Sequence, residues 1–357
     1  MPEQPVTSKP HALIRQRPAD FLVEEIPAYE PSGQGDHAFV TIRKTGLSTM
    51  RAVELLAEAL GVDPREAGYG GLKDRHAVTT QTVSLPFARD RDLEGAAAEV
   101  AIEGLEILGA TRHGHKLKPG HLRGNRFHIT LRDLAPAADR AIIERLEELQ
   151  HEGVPNAFGP QRFGRDGSNP ERALAWLRGR ARPPRKRSLQ RLLFSSVQSL
   201  LYNRVLARRV DAGTWNQVLA GDLAKKHDSG GLFQVPDDPA ELADATERAA
   251  AGLISATGPM FGAKMRWPDG EVAEIEREVL AEAELERAHF AAFKRLGRGT
   301  RRALRLMLGE VGWSGGGDDG FLTVAFVLPK GGYATTVLSE LCQLTDVAGS
   351  SSPFPSG

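Results

Sequence analysis

The chain has little cysteine: Cys342 is the only one in 357 residues. This excludes a disulfide framework and every zinc or iron–sulfur site built from several cysteines. Long apolar runs are lacking too, since no stretch approaches the roughly 18 uncharged apolar residues of a membrane span. Residues 1–10 are polar and lack the apolar segment of a signal peptide. We therefore expect a cytoplasmic protein that has no membrane partner.

Motifs for nucleotide, serine and metal chemistry are also lacking. GYGGLKD at 68–74 does not end in the Gly-Lys-Ser/Thr of a phosphate-binding loop, so no nucleotide cofactor is expected. GWSGG at 312–316 lies in a glycine-rich turn before a strand, which is the wrong place for a serine nucleophile. The histidines at 113, 115, 121 and 128 have lysines and arginines around them rather than carboxylates, so they predict no metal site.

Net charge is absent as well, because 46 basic residues balance 46 acidic ones. The charges are nevertheless segregated along the chain. Residues 172–210 hold 11 lysines and arginines and no acid, whereas residues 237–286 hold 13 acids and four bases. Residues 112–132 and 294–305 each hold six bases and no acid. Such segregation is typical of nucleic-acid-binding surfaces, although a solvated helix face is the alternative for any single run.

Hydrophobic periodicity predicts alternating strands and helices in the first half of the chain. The expected strands are at 37–43, 78–85, 102–108 and 127–131, and the expected helices start after Ser48 and cover 142–149. After Gly153 prolines separate long basic helices, which we expect at 189–209 and 280–308. A strand at 321–328 and a helix beginning near Thr335 follow. This order predicts an α/β domain with a mixed sheet that a mainly helical segment interrupts.

The segment at 70–85, GGLKDRHAVTTQTVSL, carries the candidate catalytic group. Gly70 and Gly71 allow a bend or the close approach of a ligand. Asp74 stands between Lys73 and Arg75, and two neighbouring cations should lower the pKa of a carboxyl group and keep it ionised, as a nucleophile or base requires. A turn held by salt bridges is the alternative, and the spacing alone favours it.

A second segment, GHLRGNRFHITL at 120–131, has the composition of an RNA contact. Arg123 and Arg126 are candidates for phosphate contacts, Asn125 for a base edge, and Phe127 for stacking on a base. A core position on an alternating strand is the alternative for Phe127.

A third segment, GVPNAFGPQRFGRDGSN at 153–169, combines turn formers with two aromatic residues and two arginines, Arg162 and Arg165. Its composition is typical of a shaped binding loop, although no reaction follows from it.

In this order and spacing, the three segments resemble motifs of the TruD family of tRNA pseudouridine synthases. The matching strings are KDRHAVT at 73–79, RGNRF at 123–127 and GVPN-x2-G-x-QRFG at 153–164. The resemblance continues through SSVQSLLYNRV at 195–205 and LPKGGYATTVLSEL at 328–341. It covers the chain from Ile14 to Thr345.

The resemblance implies an α/β (α+β) fold. A pseudouridine-synthase-like catalytic domain, with a mixed and largely antiparallel sheet flanked by helices, is interrupted by an inserted, mainly helical TRUD domain. The expected parts are 11–152 for the first catalytic part, 153–305 for the insert, 306–347 for the returning strand and helix, and tails at 1–10 and 348–357.

The resemblance also implies roles for single residues. The positions that match the family's active site are Asp74, as catalytic nucleophile, and Phe21, Asn125, Phe127, Tyr333, Arg15 and Lys73, as substrate-binding residues. Two of these depart from the family pattern: a tyrosine replaces a phenylalanine at 333, and an arginine replaces a common lysine at 15. The candidates for contacts with the RNA backbone are Arg123, Arg126, Arg162, Arg165, Arg185, Lys186 and Arg187.

The implied reaction converts uridine 13 of tRNA to pseudouridine after the base has flipped out of its stack. Asp74 either attacks C1′ of the ribose or removes a ribose proton, and the sequence leaves both routes open. The reaction is redox-neutral, so no cofactor is expected; the expected partner is tRNA and the expected state is a monomer. The competing hypothesis is a non-catalytic RNA-binding protein on the same fold, which would not need an ionised Asp74.

Overall fold

The computed structural model describes residues 9–164 and 166–350. The chain divides into two compact units, one of Met1–Gln150 with Leu308–Gly357 and one of His151–Met307. This division falls within a few residues of the boundaries expected at 153 and 305. Of the tails expected at 1–10 and 348–357, residues 1–8 and 351–357 lie outside the described residues, as does Arg165, whereas residues 348–350 belong to a short helix, Val347–Ser350.

Both units contain strands as well as helices. The strands are β1 (His11–Ile14), β2 (Phe21–Pro27), β3 (His37–Thr45), β4 (Gly68–Tyr69), β5 (Val78–Pro86), β6 (Leu105–His113), β7 (Leu122–Arg132), β8 (Val154–Pro155), β9 (Leu223–Lys226), β10 (Leu232–Gln234), β11 (Ile254–Met260), β12 (Thr300–Ala303), β13 (Arg305–Leu306), β14 (Gly309–Gly315), β15 (Phe321–Pro329) and β16 (Gln343–Asp346). The helices are α1 (Thr49–Ala59), α2 (Leu93–Ala98), α3 (Ala138–Glu152), α4 (Asn169–Leu177), α5 (Arg187–Asp211), α6 (Pro239–Ala250), α7 (Gly270–Glu282), α8 (Arg287–Ala291), α9 (Ala334–Leu341) and α10 (Val347–Ser350).

The first unit is built on one sheet, which has ten strands within the described residues. The order along the sheet is β14-β15-β7-β2-β5-β3-β6, with β1 joining β7 and β16, and β4 joining β5. The pairs β1–β16 and β2–β5 are parallel, and the other pairs are antiparallel. The predicted mixed, largely antiparallel sheet is thereby confirmed.

Helix α1 covers one face of this sheet. It begins at Thr49 and is capped by Ser48, whose hydroxyl accepts a hydrogen bond from the backbone N–H of Arg51 and so satisfies one of the free donors of the first turn. The buried residues of the helix, Leu56 among them, pack against the inward-facing residues of β3, which are Ala38, Val40 and Ile42. This alternation of buried positions continues to the end of β3, where it positions part of the candidate site.

The second unit combines helices with a small antiparallel sheet in the order β10-β9-β11-β12. Residues of α4, α5, α7 and α8 share one apolar cluster. The sequence predicts helix α5 but not α6, α7 or this sheet, whose strands are three to seven residues long and lack a clear alternation. No helix in the described part of the chain is long and apolar enough to cross a membrane.

The helix expected at 280–308 is wrong. Helix α7 ends at Glu282, α8 is short, and residues 300–306 form β12 and β13. A continuous helix is already interrupted between α7 and α8, where Glu284 has a left-handed φ of +49°. Arg301 and Arg305 are buried: Arg301 pairs with Glu276, and Arg305 donates hydrogen bonds to backbone carbonyl groups. These two arginines of the basic run 294–305 therefore do not lie on a solvated helix face.

Candidate active site

Asp74 lies in the loop between β4 and β5, and about a third of its side chain is exposed (33%). One carboxylate oxygen, Oδ1, accepts a hydrogen bond of 2.9 Å from the backbone N–H of His76. The other, Oδ2, lies 3.0 Å from Nη2 of Arg15. The carboxylate is therefore held at both oxygens and still reaches the surface, which is the arrangement that a nucleophile or base for a bound substrate requires.

Arg15 follows β1 directly and connects Asp74 to a second carboxylate. Its Nη1 lies 2.7 Å from Oδ2 of Asp346, which is brought there because β16 runs parallel to β1 with Asp346 opposite Ile14. The guanidinium carbon also lies 4.3 Å from the centre of the Phe21 ring. Arg15 has a φ of +57°, which costs an arginine roughly 1–2 kcal/mol and is maintained by these contacts. The guanidinium of Arg15 thus forms ion pairs with two carboxylates, one through each terminal nitrogen.

The side chain of Lys73 contacts residues other than Asp74, its neighbour in the sequence. Its Nζ forms an ion pair of 2.6 Å with Oε2 of Glu25, and both side chains are nearly buried (5% and 3% exposed). The same Nζ donates a hydrogen bond of 2.7 Å to Oδ1 of Asn125, which stands opposite Glu25 in the β2–β7 register. Lys73 therefore fixes the orientation of the Asn125 amide and leaves its nitrogen, Nδ2, as the donor available to a ligand.

Adjacency in the sequence predicts Lys73 and Arg75 as the cations near Asp74, and the structure gives that position to Arg15. The Nε of Arg75 donates to the carbonyl oxygen of Gly46 at 3.1 Å. The glycine at 70 is explained by the ion pair of Lys73, since a Cβ at that position would lie 3.1 Å from Oε1 of Glu25. The GGLKD string therefore carries both an exposed carboxylate and the anchor of its loop.

Phe21 and Phe127 lie on neighbouring strands and are both buried. Their rings meet edge to face with centroids 6.3 Å apart, and Phe127 also packs against Phe326, at 5.6 Å. The structure therefore places Phe127 at the core position that the alternation of its strand predicts.

Tyr333 directly precedes α9 and is half-buried. It follows the end of β15, where Leu328 is opposite Asn125 in the register and the backbone N–H of Lys330 donates to the carbonyl oxygen of Arg123. The turn that carries Tyr333 thus begins at the end of the sheet where Asn125 lies.

Sequence reasoning missed two residues that contact the Asp74 loop from the end of β3 and the start of α1. The Nζ of Lys44 donates hydrogen bonds of 2.8 Å to the carbonyl oxygens of Asp74 and Leu47. Thr49 Oγ1 accepts a bond of 2.8 Å from the backbone N–H of Lys73 and donates to Gln81. The available signal was the alternation of β3, because a lysine at 44 continues the series of buried positions 38, 40 and 42.

The candidates for RNA-backbone contacts in the first unit differ in exposure and in whether they form ion pairs. Arg123 is exposed. Arg126 is half-buried and pairs with Glu24 and with Glu310. In the same basic run, Arg112 donates to four backbone carbonyl groups and Arg132 pairs with Asp20. Half of this run is therefore engaged within the unit.

In the second unit, too, several of the basic residues are paired with acidic ones. Arg178 and Arg180 pair with Glu284, Arg208 pairs with Glu278 and Glu282, and Arg209 forms a buried pair with Asp222. The basic run at 172–210 and the acidic run at 237–286 thus compensate each other in part.

Of the candidates in the second unit, Arg162 is half-buried and donates to the hydroxyl groups of Ser195 and Ser199. Arg185, Lys186 and Arg187 are exposed at the start of α5. Arg165 lies outside the described residues. The exposed cluster at 185–187 is therefore open to a partner, as are the exposed Arg172, Arg182 and Arg191 of the same run.

The histidine group and the lone cysteine both have structural surroundings. His113 stacks on Tyr29 at 5.3 Å and meets His115 edge-on at 4.9 Å. Within the described residues, no group of three or more His, Cys, Asp or Glu side chains is arranged to hold a metal ion. Burial raises the pKa of the Cys342 thiol to about 12, so the thiolate that a cysteine nucleophile needs is suppressed.

Comparison with known proteins gives consistent matches along the chain. A family model described as tRNA pseudouridine synthase D (TruD) matches residues 7–172 and 180–341. A protein named tRNA pseudouridine synthase D from an Anaeromyxobacter species is 44% identical over 337 residues, which cover 92% of this chain and 91% of the relative. One of the same name from Thermus thermophilus is 42% identical, covering 93% and 88%.

The fold is shared with a solved structure as well. A crystal structure from Methanosarcina mazei, whose title describes it as a putative tRNA pseudouridine synthase D, has a TM-score of 0.77, with 25% identity and 94% of both chains covered. The fold is therefore that of a pseudouridine synthase. The chain belongs to the tRNA pseudouridine synthase D (TruD) family.

Proposed function

We propose that this protein is a tRNA pseudouridine synthase that converts uridine 13 to pseudouridine, with Asp74 as the catalytic carboxylate. The observation that carries the proposal is the state of Asp74: a partly exposed carboxylate held at both oxygens, by Arg15 and by the backbone of His76, on a chain of this family. The proposed site of action is the cytoplasm, and the proposed active form is a monomer.

The reaction is an isomerisation and balances without a cofactor. In the first route, an Asp74 oxygen forms a bond to C1′ while the C1′–N1 bond breaks, and the bonding electrons leave with the uracil as an anion. The uracil turns, C5 bonds to C1′ as the carboxylate leaves, and the C5 proton is lost while N1 gains one. In the second route, Asp74 removes the 2′ proton while the C1′–N1 bond breaks, which gives a glycal and the uracil anion. C5 then bonds to C1′ as Asp74 returns the proton to C2′, and the C5 proton is lost while N1 gains one.

Both routes pass through a negatively charged uracil, and the surroundings of Asp74 suit that charge. Arg15 supplies a fixed positive charge at the carboxylate, and preorganised cations stabilise charge that develops in a reaction. The Nδ2 of Asn125, oriented by Lys73, is proposed to donate to a uracil carbonyl oxygen. Phe21, Phe127 and Tyr333 are proposed to supply the aromatic surroundings of the base.

Binding of tRNA is proposed to use the exposed cations Arg123, Arg185, Lys186 and Arg187. Phosphate contacts release counterions, so binding should weaken steeply as salt rises. Flipping the target uridine costs a few kcal/mol, which these contacts would offset. Arg126 and Arg162 are proposed to assist only where RNA displaces their present partners.

The proposal is tested with unmodified tRNA transcripts and no added cofactor. Pseudouridine is mapped by carbodiimide labelling and primer extension for the wild type, Asp74→Ala and a control, Asp36→Ala, which removes an exposed carboxylate elsewhere in the first unit. We expect a stop for position 13 with the wild type and the control, and none with Asp74→Ala. Equal tRNA binding by all three without any pseudouridine would instead support the non-catalytic RNA-binding protein.

A further inference from the structure

Lys44 is a buried cation for which the proposed reaction gives no role. It is 0% exposed and stands at the end of β3, where the preceding inward-facing residues are Ala38, Val40 and Ile42. Burial of a lysine ammonium is costly, and such residues are rarely buried unless they are paired. The position therefore needs an explanation other than packing.

The contacts of Lys44 all lead to the two loops at this end of the sheet. Its Nζ donates to the carbonyl oxygen of Asp74 and to that of Leu47, each at 2.8 Å. Leu47 precedes the Ser48 cap of α1, so one end of this bridge is fixed by a helix terminus. The other end is the backbone of the catalytic loop itself. Lys44 thus connects the position of Asp74 to a rigid element of the fold.

Within the described residues no carboxylate forms an ion pair with Lys44, since both of its hydrogen bonds go to carbonyl oxygens. The Asp74 carboxylate raises the pKa of Lys44 and the Lys73 ammonium lowers it, while burial has the largest effect and brings the pKa to about 8. In the loop that faces Lys44, the guanidinium of Arg75 turns to the carbonyl oxygen of Gly46. Since an unpaired buried charge lowers stability, its retention points to a function of the site.

We propose that Lys44 is a positioning residue for the reaction, which fixes the Asp74 loop through the Asp74 carbonyl oxygen. This rests on the proposed function of Asp74. Catalytic groups lose rate when they are displaced by about 1 Å, by as much as roughly 100-fold, so a freed loop should slow the chemistry without weakening tRNA binding. Lys44 itself is fully buried.

The test compares the wild type with Lys44→Met and with a matched control, Arg43→Met. Arg43 is the preceding residue on β3 and is exposed, so this variant removes a cation from the same strand but from its solvent side. Single-turnover rates of pseudouridine formation and tRNA affinities are measured for proteins that give the same circular dichroism spectrum. We expect Lys44→Met to lose about 10- to 100-fold in rate with its tRNA affinity unchanged, and Arg43→Met to retain both. A Lys44→Met variant with the wild-type rate, or one that loses rate only in proportion to affinity, would overturn the proposal.

A second measurement does not depend on activity. Hydrogen exchange is followed in the peptide that covers residues 72–78, which includes the His76 amide bonded to Asp74. We expect faster exchange there in Lys44→Met than in the wild type or in Arg43→Met, and equal exchange in all three would contradict the positioning role. If the wild type forms no pseudouridine, the proposed function fails, while the exchange experiment still decides whether Lys44 fixes the loop.

Discussion

The buried pair of Lys73 and Glu25 gives the sharpest prediction for the stability of the site. Glu25→Gln removes the only carboxylate that contacts the Lys73 ammonium in the described structure, at a position where both side chains are almost fully buried. A buried charge that loses its partner typically costs about 3–5 kcal/mol. Glu25→Gln should therefore lower the free energy of unfolding of the first unit by this amount. Lys73→Met should cost a similar amount, because it leaves the carboxylate buried alone.

The double variant distinguishes this reasoning from a simple loss of packing. With both charges removed, no buried ion is left unpaired, so the double variant should be clearly more stable than the sum of the single changes predicts. Urea unfolding followed by circular dichroism measures the cycle. The control is Asp36→Asn, which breaks an exposed pair with Arg89 and should cost no more than about 1 kcal/mol. Additive single effects, or a Glu25→Gln cost as small as the control's, would refute the account of this pair.

Three further predictions concern charge. The pKa of Lys44 falls from 10.5 to about 8 on folding, so the unfolded chain binds this proton more tightly than the folded one. As pH rises from 8 to 10.5, the free energy of unfolding of the wild type should therefore increase by up to about 3 kcal/mol relative to that of Lys44→Met. A constant difference between their urea midpoints would contradict this. Arg15→Lys should lower the single-turnover rate by about tenfold with tRNA affinity unchanged, because one ammonium does not reproduce a fork that spans two carboxylates; an unchanged rate would argue against the bridge. Neutralising residues 185–187 together should reduce the salt dependence of tRNA binding, whereas neutralising Arg178 and Arg180, which are paired with Glu284, should reduce it less; equal effects would contradict the division into paired and open cations.

Sequence periodicity predicted five of the ten strands of the described sheet, β3, β5, β6, β7 and β15, and missed β1, β2, β4, β14 and β16. Strands such as β3 and β15 bury one face and expose the other, so their residues alternate, and α1 follows a clear cap at Ser48. The same reasoning failed for residues 280–308 of the insert, because the buried arginines at 301 and 305 cannot be distinguished from surface arginines in the sequence. Burial of a cation depends on partners that are distant in the chain, and no local pattern reveals them.

The same limit applies to the candidate site. The string GGLKD identified Asp74, yet adjacency suggested Lys73 as its cation, whereas the contact comes from Arg15, far earlier in the chain. Asp346 was missed because only the parallel pairing of β16 with β1 brings it to Arg15. Lys44 was predictable in principle, since it occupies the next inward-facing position of β3 after 38, 40 and 42, where an apolar residue is expected.

The proposed activity is the isomerisation of a uridine of tRNA at the site around Asp74. The most direct measurement uses tRNA transcripts labelled with tritium at C5 of uridine, because forming the new bond at C5 releases that tritium to water. We predict release by the wild type and none by Asp74→Asn, which keeps the shape of the side chain and should bind the tRNA equally well. Release should also disappear when uridine 13 is replaced by cytidine. Release by Asp74→Asn at the wild-type rate would contradict the account.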